Sequence, residues 1–189
     1  MKIYCFSKKQ IIRYAIIMGI FAALLLLFAV KADCFGFPNA AVISPIYSGK
    51  AGHNQVSLMI NVDWGEDILP EFLATLQKEN IPATFFVTGR FAHKHPDLVK
   101  AMAQAGHEIG NHGYSHPHAD RLSREDNQAE IIKTEEALRQ AGAAPKKYFA
   151  VPYGEKKEHV VAAAEEIGYK VVYWTLYTVD WQEPAAETI

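Results

Sequence analysis

Cysteine is nearly missing from this chain. There are two in 189 residues, Cys5 and Cys34, on either side of an apolar N-terminal run. Everything after residue 34 lacks it, which excludes a thiolate metal site and a disulfide framework in the folded region. If that run enters a membrane, the two thiols sit on opposite faces and no bond between them is expected. Excess charge of either sign is missing too. Nineteen basic against 21 acidic residues leave a formal net charge of -2, which offers no polyanion-binding surface, so no nucleic-acid partner is expected. Neither a G-x-S-x-G elbow nor a phosphate-binding G-x-x-x-x-G-K-[ST] loop occurs, which removes two common α/β chemistries.

What is present begins with Lys2, Lys8, Lys9 and Arg13, followed by an uncharged stretch over residues 15–30 that Lys31 and Asp33 close. Basic, then apolar, then polar is the layout of an export segment. Its sixteen residues exceed a signal core of roughly 7–15 and fall short of the ~20 of a spanning helix. Residues 1–32 therefore read either as a cleaved signal peptide or as a retained membrane anchor. In both cases the basic flank stays cytoplasmic and the rest is exported, to the outer face of the membrane, the cell wall or the medium. Residues 33–54 carry Gly36, Pro38, Pro45, Gly49 and Gly52 and read as a linker or extended lead-in. One domain occupies 55–189.

That domain alternates two periods. Residues 56–62 read as a strand. Residues 67–79 read as a helix with Ile68, Leu69, Phe72, Leu73 and Leu76 on one face and Pro70 in its first turn. Residues 83–88 are a nearly continuous apolar run, the mark of a strand buried on both faces. A helix over 96–105 stops at Gly106, and a strand follows over 107–111. Ser123-x-x-Asp126 caps a helix running to residue 140. A short strand covers 148–151. A helix over 155–167 turns Val160, Val161, Ala164 and Ile167 inward and stops at Gly168. Residues 169–176 form the last strand. Five strands alternating with helices give an α/β fold with a parallel sheet, either open and doubly wound or part of a barrel.

Ligands of both architectures bind beyond the C-terminal strand ends. Four polar signatures fall there: Asp63-Trp64-Gly65, the pair His112 and His116, Pro152-Tyr153-Gly154, and Asp180-Trp181. Two imidazoles four residues apart can reach one divalent ion, and Gly113 and Pro117 put them on a loop. Trp64, Tyr153 and Trp181 at strand ends suit stacking on sugar rings. His93, His95 and His118 read as surface-loop residues, and His107 as the partner of a backbone group near its strand. Glu66 and Asp67 read as the opening of the first domain helix, stabilised by its dipole.

From about residue 56 to 181 these motifs, in this order, resemble the polysaccharide deacetylases of carbohydrate esterase family 4, the NodB homology domain. Asn61-Val62-Asp63-Trp64-Gly65 approximates the family's first motif. Gly106-His107-Glu108-Ile109-Gly110-Asn111-His112 through His116 is its second, nearly unaltered. Phe149-Ala150-Val151-Pro152-Tyr153-Gly154 approximates the third, and Trp174 through Asp180-Trp181 the fourth. The resemblance implies a distorted (β/α) barrel that removes acetyl groups from N-acetylhexosamine units of peptidoglycan or a related cell-wall glycan. It implies one divalent metal, with zinc the expected ion, held by an Asp and two His. A metal lowers the pKa of its water toward ~7 and polarises the amide carbonyl, and a second Asp takes the proton. Carried onto this chain, His112, His116 and Asp63 are the expected metal ligands. Asp63 and the backbone N–H of Tyr153, as oxyanion donor, are the expected catalytic groups. Trp64, Pro152, Tyr153, Asp180 and Trp181 are the expected substrate contacts.

The chain departs from the family pattern at specific positions. Trp64 stands where a second acid usually ligates the metal, Ala150 where an Arg usually orients the base, and Tyr177 at the fourth motif's first acidic position. The strand carrying the family's late His would lie beyond Ile189. The barrel is accordingly expected to be incomplete at its C-terminus, with the edge of the strand over 169–176 unpaired and apolar. Two functions follow: a metal-dependent deacetylase, or a degenerate member that binds glycan without turnover as a cell-wall or spore module.

Overall fold

The computed structural model describes residues 8–34, 44–49, 52, 54–178 and 182. The chain divides into two compact units, 1–42 and 43–189. The described residues of the first form one helix, α1 (Lys8–Cys34), of 27 residues. At ~1.5 Å per residue its uncharged part covers about 24 Å, less than the ~30 Å hydrocarbon core of a bilayer. Among the described residues no helix is long and apolar enough to cross a membrane.

The second unit runs β1 (Met59–Val62), α2 (Leu69–Lys78), β2 (Thr84–Val87), α3 (Gly89–Lys94), α4 (Pro96–Gln104) and β3 (Glu108–Asn111). It continues with a 3-10 turn (Ala119–Arg121), α5 (Arg124–Gln140), β4 (Tyr148–Ala150), a second 3-10 turn (Pro152–Gly154), α6 (Glu158–Glu166) and β5 (Lys170–Val172). All five strands are parallel and lie in sequence order, β1-β2-β3-β4-β5. A doubly wound sheet reverses its strand order at a switch point. Here nothing reverses, so each right-handed crossover adds the next strand on the same side and the sheet curls as part of a barrel.

The core follows the strand alternation. Phe85 and Val87 of β2 pack with Leu69, Leu73 and Leu76 of α2, Val99 and Met102 of α4 and Leu138 of α5. Phe149, Val151, Val160, Val171 and Tyr173 form a second cluster, and α5 joins it through Ile131. Phe86 points to the opposite face and lies against Gly110. A Cβ at position 110 would sit 2.6 Å from the Phe86 ring, so glycine is what lets β2 and β3 approach.

Several boundaries differ from the expectations above. The first strand is shorter at its start, because Val56 stands exposed with no strand opposite it. Glu66 does not open α2. It pairs with Lys94 at 3.3 Å instead. The six-residue α3 was not expected. Thr88 caps it, its Oγ1 accepting from the Phe91 N–H at 3.3 Å. His93 is therefore helical, and His95 is partly buried against the Phe91 ring at 4.9 Å. The last strand ends at Val172, and Trp174 leaves the sheet to meet Tyr177 at 5.3 Å. Its edge is not bare either. The Ile46 N–H donates to Val171 O and the Tyr173 N–H to Ile46 O, both at 2.8 Å. Tyr47 stacks on Tyr173 at 5.1 Å beside this bridge.

Candidate active site

Register builds the rim. Val62 pairs with Val87, and Val87 with Asn111, so the next residues on three neighbouring strands are Asp63, Thr88 and His112. The Thr88 N–H donates to Val62 O at 2.9 Å and the His112 N–H to Val87 O at 3.1 Å, which carries the ladder one step past the strands.

Asp63 accepts three bonds there. Its Oδ1 accepts from Thr88 Oγ1 at 2.9 Å and from Arg90 Nε at 2.6 Å, and its Oδ2 accepts from Arg90 Nη2. Partial burial pushes the Asp63 carboxyl up. The bonds from Arg90 and Thr88, with the charges of Arg90 and His116, outweigh burial and hold it below the usual carboxylate range. Arg90 belongs to the first turn of α3. Ala150, where the family's orienting Arg would stand, contributes only its backbone to the site.

That backbone orients His112. Ala150 O lies 2.7 Å from His112 Nδ1. A carbonyl can only accept, so Nδ1 carries the proton and Nε2 keeps its lone pair. Burial lowers the His112 pKa to about 4, against a partial offset from the Ala150 bond, so the ring is neutral at pH 7. The His116 ring stands 4.9 Å away at 70°. Burial lowers its pKa as well, with Asp63 opposing and Arg90 adding to the shift.

The loop joining them is anchored from several elements. Glu130 of α5 accepts from the N–H groups of Tyr114 and Ser115 at 2.8 Å each and from Ser115 Oγ at 3.1 Å. Asn111 accepts from the Gly113 N–H at 2.9 Å and donates to Ile131 O at 2.8 Å. Gly113 O and Tyr114 O accept from the N–H groups of Gly89 and Arg90. Lys133 lies 3.7 Å over the Tyr114 ring.

Tyr153 closes the rim. Its ring touches His116 edge-on at 4.7 Å and stacks on His118 at 4.2 Å and 13°. His118 is a loop residue with 42% of its side chain exposed, and it also packs on Tyr153. Its Nδ1 is 2.8 Å from Glu155 Oε1, and Glu155 Oε2 accepts from the Asp120 N–H at 2.8 Å. Both His116 and Tyr153 have left-handed backbones, φ 55° and 58°. Such residues cost on the order of 1–3 kcal/mol each and gather at functional sites. Gly154 follows at φ 65°, with the Trp174 ring where a Cβ would be, at 2.8 Å. Trp64 is 67% exposed and open to a ligand, while Tyr153, 60% exposed, has one ring face taken by His118. Pro152 is buried and shapes the turn. Asp180 and Trp181 lie outside the described residues.

Arg90 and Glu130 were not singled out from sequence. Arg90 had a faint signal, a cation three residues past a strand end on the Asp63 rim. Glu130 had none, being one acid among many on α5. The donors fit a divalent ion only in part. The two neutral imidazoles suit it, but Arg90 occupies both Asp63 oxygens, and position 64 is an indole. Among the described residues no three His, Cys, Asp or Glu side chains are grouped to hold a metal ion. The set as folded does not complete a metal centre.

A family model described as polysaccharide deacetylase matches residues 48–172. The chain belongs to the polysaccharide deacetylase family. Among its relatives is a peptidoglycan-N-acetylglucosamine deacetylase of Bacillus cereus, 40% identical over 164 residues, which cover 84% of this chain and 59% of that protein. Another is the protein YlxY of Bacillus subtilis, 38% identical, covering 77% of this chain and 46% of that one. This polysaccharide deacetylase-family chain thus spans about half the length of the curated relatives it matches. The crystal structure of BA3943, a CE4 family pseudoenzyme from Bacillus anthracis, superposes with a TM-score of 0.74 at 34% identity. It covers 77% of this chain and 52% of the pseudoenzyme. Enzymatic activity has been restored in a mutant of that pseudoenzyme.

Proposed function

We propose that this chain is an exported, slow N-deacetylase acting on N-acetylhexosamine units of peptidoglycan or a related cell-wall glycan. One observation carries the reading: a neutral imidazole pair, His112 and His116, on the same strand-end rim as an ionised Asp63 and an exposed Tyr153. Trp64 is the proposed stacking surface for a pyranose unit, with the exposed part of Tyr153 beside it, and the Tyr153 N–H is the proposed donor to the developing oxyanion. Asp63 is the proton acceptor. Its lowered pKa makes it a weak base, and loss of general-base help typically costs 10²–10⁴-fold, so turnover is slow. Zinc is the ion proposed for the imidazole pair. The N-terminal segment is the proposed export signal or membrane attachment.

A second reading, glycan binding without turnover, is favoured by the capture of Asp63 by Arg90, by Trp64, and by the likeness to a pseudoenzyme. The test is acetate release from a chitin oligomer and from purified peptidoglycan, with and without added zinc, beside a pull-down on the same polymers. Slow, zinc-stimulated release supports the deacetylase. Retention on peptidoglycan with no acetate supports the binding module. Neither release nor retention overturns both. Cell fractionation that recovers the intact chain free in the cytoplasm overturns export.

A further inference from the structure

The imidazole pair has no third ligand grouped with it among the described residues, and the acid on the same rim, Asp63, is held by Arg90. We infer that Arg90 is an intramolecular competitor for a divalent cation: its guanidinium occupies the carboxylate that would complete a centre with His112 and His116. The inference rests on the imidazole pair assigned above.

Both Arg90–Asp63 bonds are charge-assisted and the pairing is two-pronged, the strongest geometry available to such a pair. Asp63 is mostly shielded, with 15% of its side chain exposed, so water screens the pair little from that side. A divalent ion recruiting Asp63 must first break this fork. It then sits beside a guanidinium that has lost its counter-charge, and repulsion between the two cations adds to the cost. The two neutral imidazoles offer nothing to offset that repulsion. With Arg90 gone, Thr88 Oγ1 still orients the carboxylate at 2.9 Å, and two imidazoles with one carboxylate make a three-ligand set that zinc accepts. The Arg90 side chain is 51% exposed on a six-residue helix, so shortening it opens no core.

The test is zinc titration by calorimetry of the full chain in mild detergent, comparing the parent, Arg90→Met, Arg90→Lys and the double variant Arg90→Met/Asp63→Asn. The expected result is at least tenfold tighter zinc binding for Arg90→Met, a smaller gain for Arg90→Lys, which keeps the charge and loses the fork, and a return to the parent level in the double variant. Melting curves establish which variants are folded. A folded Arg90→Met that binds zinc no tighter than the parent overturns the inference. So does a double variant that keeps the gain, because Asp63 is then not the group released. If Arg90→Met does not fold, Arg90→Lys decides by the same criterion. The titration uses no glycan, so a chain that never releases acetate can still show the gain, and an active deacetylase can fail to show it.

Discussion

The two halves of the rim are held in different ways. The loop from His112 to His118 is tied from α5, from the N-terminus of α3, from the end of β4 and from its own strand through Asn111. Glu130 alone accepts three of those bonds, and the others run between backbone groups or through Asn111 and His112. The turn at Asp63 hangs instead on two side chains, Thr88 and a half-exposed Arg90. The imidazoles are part of the frame, whereas the carboxylate is set by residues that can change one at a time.

The contrast can be broken by substitution. Glu130→Ala removes the acceptor for three donors at once and should cause the largest loss, about 2–3 kcal/mol by urea denaturation. If it costs less than Arg90→Ala, the loop is not the framed half. Gly154→Ala should come next. It puts a Cβ against Trp174 on a left-handed backbone, at an expected cost of about 1–3 kcal/mol read from thermal melts.

Glu135 sharpens the comparison through pH. Its carboxylate accepts from Lys147, Arg139 and the Tyr169 hydroxyl, and Tyr169 in turn lies 3.5 Å from Asn111 behind the His loop. Burial pushes Glu135 up, but those bonds prevail and lower it from 4.5 to about 2. The unfolded chain therefore takes up this proton first. The stabilisation is complete above about pH 4.5 and is lost as pH falls toward 2. Glu135→Gln should lower the melting temperature at pH 7 and flatten its decline between pH 4.5 and 2. A variant with the parent's acid slope would detach Glu135 from the framework. Arg90→Ala should cost less than these, about 1 kcal/mol, because the Arg90 side chain is half-exposed and Thr88 still donates to the shielded Asp63 carboxylate.

Much of this was legible in the sequence, because the strands end where polar signatures begin. The alternation of strand and helix, the Ser123 cap with its 3.0 Å bond to the Asp126 N–H, and the stop at Gly168 are all local patterns. His107 also met its expected backbone partner, the Ala83 N–H at 3.3 Å. What escaped was either too short to show a period, as with α3, or defined only across space. Nothing near Glu130 marks it as the acceptor for a loop 15 residues away, and nothing near Asp63 names Arg90. The choice between an open sheet and a barrel was likewise not periodic information. It rests on strand order, which no window of sequence contains.

The bridge between Ile46 and Val172 bears on the order in which the domain can assemble. Contacts such as β1 with β2 close loops of roughly twenty residues, while this bridge closes nearly the whole domain and carries a correspondingly larger entropic cost. It belongs to the last events of folding, after the intervening strands have paired. Made from its N-terminus, the chain releases Ile46 first and Val172 126 residues later, roughly 6–25 s at synthesis rates of ~5–20 residues per second. Through that interval the lead-in must stay extended and unclaimed by other strand edges. The glycines and prolines around it, poor strand formers, suit a segment that has to wait for its partner.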